Sequence, residues 1–172
     1  METRKVRKII IGSFVSTLII AAWFLGPVTR AGADDMKYRV SSYIMKYEAL
    51  PVGDVEGHFM ILFSRRGLAY FENGEVATIQ NCGTADSIRG MGTVQFYSMV
   101  TFADGSTIFG KFEGTIEYHK GTGKYIKGTG RFEGIIGTFT YAGKTLTPYS
   151  KEKGTMGDFY YDVISTHTLP LK

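Results

Sequence analysis

KGTGKYIKGTGRFEGIIGTF, Lys120 to Phe139, places six glycines between positions 121 and 137 of a chain of 172 residues. Glycine this dense serves a phosphate-binding turn, a bent strand or a disordered linker. The phosphate reading fails on spacing. A dinucleotide fingerprint starting at Gly128 and Gly130 needs a glycine at 133, where Glu133 stands. A P-loop ending in Gly143, Lys144, Thr145 needs its first glycine at 138, where Thr138 stands. Within the stretch, GRFEGII at 130 to 136 repeats GKFEGTI at 110 to 116. Read as strand, each copy puts two glycines and the phenylalanine between them on one face, and the basic residue and glutamate on the other. Glycines on one face let a strand coil sharply, with the aromatic covering the exposed backbone. The repeat is therefore expected to curve a sheet.

The flanking segments alternate in the same way. Ser106 to His119 sets Ile108, Gly110, Phe112, Gly114, Ile116 and Tyr118 against Lys111, Glu113, Thr115 and Glu117. Gly157 to Leu169 sets Phe159, Tyr161, Val163, Ser165, His167 and Leu169 against a second row containing Asp158 and Asp162. Asn73-Gly74 and Asp104-Gly105 predict tight type I′ turns between strands. Strands are expected near 36–49, 58–71, 75–87, 92–103, 106–119, 123–127, 134–147 and 157–169. Only Met36 to Leu50 also fits a helical stripe, through Val40, Tyr43, Ile44 and Tyr47. An antiparallel array without covering helices must stack as a sandwich or close on itself. The glycines favour closure: an all-β, eight-stranded antiparallel barrel over residues 34–172.

The first 33 residues read differently. Arg4, Lys5, Arg7 and Lys8 precede an apolar run from Ile9 to Val28, and Ala31-Gly32-Ala33 supplies small residues for cleavage before Asp34. Residues 1–33 are expected to be a secretory signal, giving a periplasmic or secreted protein. An uncleaved membrane anchor is the alternative, and the chain's only expected contact with a membrane. Removing the segment takes five basic residues and one acid from the 20 and 16 of the chain, leaving no net charge. The basic pI thus belongs to the signal, and nucleic acid is not an expected partner. Cys82 is the only cysteine. No internal disulfide can form, and the thiol is expected to be a small buried residue.

GTGRFEGIIGTFTY, Gly128 to Tyr141, with the preceding strands and the Asp104-Gly105-Ser106 turn, resembles the allene oxide cyclase-like barrels, whose other branch is the dirigent proteins. The likeness is sharp over Gly128 to Gly137 and loose over roughly 90 to 169. It implies a barrel with an apolar lumen, a homotrimer, and action on an apolar small molecule held in one conformation while it cyclises or couples. Glu48, near the cyclase glutamate by rough position in the first strand, is the catalytic candidate it supplies.

Read on their own, the residues offer few chemical groups. No GxSxG, HExxH or cysteine pair occurs, so neither cofactor nor metal is expected. Glu117 and His119 share a strand face, read as solvated. His167 shares its face with Phe159, Tyr161 and Val163 and is expected in the lumen, as a core histidine or as the polar group among ligand-binding walls. Gln80 to Gly90 gathers Asn81, Cys82, Asp86 and Arg89 in the least regular part of the middle of the chain. Two functions follow. One is a barrel binding an apolar small molecule through Phe159, Tyr161, Val163, His167 and Asn81. The other is a cyclase or isomerase using Glu48, Cys82 or His167 in the same lumen. A filled sandwich that binds only proteins is the third.

Overall fold

Every segment that alternates between turns forms a strand. The computed structural model describes residues 33–170. The expected export signal, apart from Ala33, lies outside the described residues. The strands are β1 (Asp34–Pro51), β2 (His58–Phe71), β3 (Val76–Ile88), β4 (Met91–Thr101), β5 (Thr107–Thr115), β6 (Lys120–Thr129), β7 (Ile136–Ser150) and β8 (Thr155–Thr168). Each pairs antiparallel with the next, and β8 returns to β1 with Tyr38 opposite Val163, closing an eight-stranded barrel. Closure leaves no sheet edge unpaired, and it removes the sandwich alternative. The ambiguous segment from Met36 to Leu50 is strand: Tyr38, Val40, Ser42 and Ile44 point inward and are buried, with exposed residues between them.

The tight turns differ from the type I′ expectation. Gly74 and Gly105 have φ of +87° and +83°, but Asn73 and Asp104 do not have positive φ. Instead, Gly74 N–H donates to Phe71 O (3.0 Å) and Phe71 N–H to Glu75 O (2.9 Å), and Phe102, Gly105 and Ser106 repeat the pattern. These are three-residue loops, a type I turn closed by a left-handed glycine. The Asn73 and Asp104 side chains accept from the Glu75 and Ser106 amides, which fixes each turn.

The two copies of the glycine repeat have different structures. Gly110 and Gly114 lie in β5, where Phe112 and Phe139 lie over the first and the Tyr141 hydroxyl over the second. That copy fits the coiling expected of it. The second copy leaves the sheet: Gly130–Phe132 is a turn of 3₁₀ helix, with Gly130 and Gly134 at φ of +60° and +75°. A Cβ on Gly130 would also strike Ser106 Oγ, which accepts from the Arg131 amide at 3.2 Å. Gly130→Val is therefore expected to destabilise the fold by about 2 kcal/mol or more, through left-handed strain plus collision. Chemical denaturation measures it, and parent stability would show that the turn tolerates rearrangement.

This turn closes one end of the barrel, the lower end, where β1 begins. Phe132 packs on Phe102 (4.8 Å between ring centroids), Phe102 on Phe71 (5.1 Å) and Phe71 on Tyr38 (4.8 Å). Arg131 lies 4.6 Å from the centre of the Phe102 ring and pairs with Glu75 at 2.7 Å and Asp104 at 3.6 Å. Above the cap, Phe112 contacts Phe139 (4.2 Å) and stacks on Phe96 (4.5 Å). The lower half of the lumen is solid core.

Candidate functional site

Above Phe96 the lumen opens into a cavity of about 420 Å³. It lies at the upper end, among the last residues of β1, β3 and β7 and the first of β2, β4 and β8. Strand alternation supplies its walls: Ile61 and Phe63 from β2, Phe96 from β4, Tyr141 from β7, Phe159 and Tyr161 from β8. A bulge between Ile44 and Lys46 breaks the alternation of β1, so Tyr47 faces the cavity. At the rim Tyr47 stacks on Tyr149 with ring centroids 4.9 Å apart. Beside the mouth, His58 joins loop 52–57 to β3, its ring nitrogens 2.6 Å from Asp54 and 2.8 Å from Asp86. The hydrogen bond to Asp54, then that to Asp86, raises the imidazole pKa above its ordinary value.

One charged side chain projects into this apolar space. Arg65 follows Phe63 on the inward row of β2, and its guanidinium lies 3.7 Å from the centre of the Phe159 ring and 4.6 Å from that of Phe63. Its Nε is shielded from water and has no hydrogen-bond partner. Among the described residues it forms no ion pair, and no aspartate or glutamate lines the cavity. Burial lowers its pKa, yet a guanidinium stays charged at neutral pH.

Neutral polar groups surround it. Burial pushes the Tyr141 phenol up to about 12, with the Arg65 charge pulling the other way, and its hydroxyl has no partner. Burial also raises Tyr161, whose hydroxyl accepts from Asn81 Nδ2 at 2.8 Å. His119 lies in the turn after β5 at φ +46°, with Nε2 3.4 Å from Thr145 Oγ1. Burial, and then the Arg65 charge, lowers its pKa, so the ring is neutral at pH 7 and can accept a proton.

Of the residues expected from sequence, Phe159 and Tyr161 line the cavity. Asn81 is buried behind Tyr161 and lines no part of it. Val163 and His167 do point inward but sit in the solid lower half, where His167 meets the Tyr125 ring edge-on. The polar end of the cavity expected near His167 is therefore at the opposite end of the barrel. Cys82 is exposed, not buried: it stands on the outward row of β3 between Ser64 and Tyr97. Glu48 is turned outward by the β1 bulge and pairs with Lys46 at 3.0 Å. None of Glu48, Cys82 and His167 reaches the open lumen. Gln80 to Ile88 is regular strand, with only Arg89 and Gly90 in the turn that follows. His119, expected on a solvated face, lines the cavity, because the chain leaves β5 at Thr115 and folds over the mouth. Arg65 went unread, although Ile61, Phe63, Ala69 and Phe71 on its own row mark it as an arginine in an inward file.

No protein-family model matches the sequence, and no curated protein matches it by sequence. Solved structures do match the fold. A pterocarpan synthase dirigent protein superposes with a TM-score of 0.52 at 12% identity, over 86% of this chain and 96% of that one. A second gives 0.51 at 14% identity, over 84% and 99%. The fold is a dirigent-type barrel. At such identity the likeness concerns the backbone. The cavity side chains of this dirigent-type barrel have to speak for themselves.

Proposed function

We propose that the upper lumen binds a largely apolar small molecule, in a protein exported through its N-terminal segment. One observation carries the reading: the lower half of the lumen is filled by side chains, while the upper half leaves about 420 Å³ walled by aromatic rings. Cavities of about 300 to 1,000 Å³ with mostly apolar walls and a few polar groups are typical ligand sites. Native mass spectrometry of the purified protein tests for a resident guest, and the dye phenylnaphthylamine tests for capacity. Dye fluorescence is expected to rise saturably with the parent protein. Val94→Trp, which fills the cavity wall, is expected to weaken that binding at least tenfold. Binding unaffected by Val94→Trp would place the dye outside the barrel and sink the reading. Export is tested by sequencing the N-terminus of secreted material, expected to begin at Asp34.

A second reading is catalysis by restriction of the same guest, as a cyclase or isomerase. It is supported by one cavity holding a neutral imidazole at His119 and an unpaired cation at Arg65. These could accept a proton and stabilise an oxyanion. With a turned-over substrate in hand, His119→Ala is expected to abolish turnover and keep binding. Loss of neither would leave the barrel a binder.

A further inference from the structure

Arg65 is hard to explain as a structural residue. It takes a permanent charge into an apolar chamber, where an isolated ion is costly to desolvate. None of the means by which proteins offset that cost is complete here. No carboxylate lines the chamber, and the guanidinium Nε has no partner. The phenols of Tyr141 and Tyr161 are held neutral, so they cannot act as counter-ions. The contact with Phe159 at 3.7 Å offsets part of the cost and also sets an orientation. Because a ring covers one face of the planar group, the N–H donors are left along its edge.

We infer that the guest of the upper lumen is a flat, conjugated carboxylate, its carboxyl group seated on the edge of Arg65 and its ring system between the aromatic walls. A carboxylate presents two oxygens at the spacing of the guanidinium fork, and among the described residues no carboxylate pairs with Arg65. Its single charge matches the single cation projecting into the chamber. Flatness follows from the walls: Phe63, Phe96, Tyr141, Phe159 and Tyr161 offer ring surfaces for stacking. Among the residues lining the cavity, Arg65 is the cation and His119 the neutral acceptor with basic character.

This inference rests on the lumen being a binding site, and the test separates the two. Naphthoate and its neutral analogue naphthylmethanol are titrated by calorimetry at pH 7.5 into the parent, Arg65→Met and Arg65→Lys proteins, each first stripped of co-purified material. Naphthoate is expected to bind the parent at least tenfold more tightly than the alcohol. Arg65→Met should weaken naphthoate about 10- to 100-fold, the worth of a charged hydrogen-bonding pair, and leave the alcohol unchanged or tighter. Arg65→Lys should fall between, keeping charge without the fork. Naphthoate binding equal to or weaker than that of the alcohol, or indifferent to Arg65→Met, overturns the carboxylate assignment. If phenylnaphthylamine still binds in a manner sensitive to Val94→Trp, the lumen reading survives that outcome. If no probe binds the lumen, both fall together.

Discussion

Replacing Phe112 with alanine is expected to destabilise the barrel by about 3 to 5 kcal/mol, the usual cost of removing a buried aromatic ring. The ring is 1% exposed, lies 4.2 Å from Phe139 and 4.5 Å from Phe96, and covers Gly110. Its neighbours cannot collapse far, because each is carried by a strand fixed on both sides within a closed barrel. The substitution also hollows the layer beneath Phe96, the floor of the open half. An apolar void of that kind stays dry and accepts small aromatic molecules, so saturating benzene should restore part of the lost stability. Urea denaturation with and without benzene measures both effects. A loss under about 1 kcal/mol would show that the floor repacks, and the division of the lumen would not be fixed by this ring.

Arg65→Met is expected to act in the opposite direction on the ligand-free protein, raising its unfolding free energy by about 1 to 4 kcal/mol. Exchanging a buried ion pair for apolar side chains of similar volume is often neutral or stabilising by that amount, and a charge without a partner offsets still less of its own desolvation. Methionine can lie against Phe63 and Phe159 where the aliphatic stem of Arg65 now runs. Most substitutions in a packed interior destabilise, so a rise in melting temperature identifies a residue kept for something other than stability. A fall would show that the contacts of Arg65 with the two rings outweigh its desolvation, and would make it a structural residue.

The strands were legible because alternation is a local property with only one period to find. Ile108, Gly110 and Phe112 lie inward in β5 as their spacing requires, and β8 puts Tyr161 and Val163 inward in the same way. Features that depend on a single extra residue were not legible. The bulge in β1 reverses the faces beyond Ile44, and nothing in YIMKYE announces it; Glu48 went to the outside for that reason alone. The repeat at 130 to 136 has the composition of its partner in β5, yet the two glycines take positive φ and the copy becomes a turn. Alternation gives a residue's face but not its height. Phe159 and His167 share a row, and the first meets open space while the second meets Tyr125. Arg65 was within reach, since its neighbours on the same row are apolar, but nothing in the alternation separates an inward arginine from the outward ones that strands ordinarily carry.

The cap formed by Phe132 and Arg131 makes the barrel a blind tube. Whatever occupies the upper chamber must leave by the opening through which it came, past the stacked Tyr47 and Tyr149. Incoming and outgoing molecules cannot pass in file, and a newcomer cannot push a resident out from behind. Exchange is then a sequence of vacating and refilling, in which the dwell time of one guest sets the waiting time of the next, however concentrated the next one is.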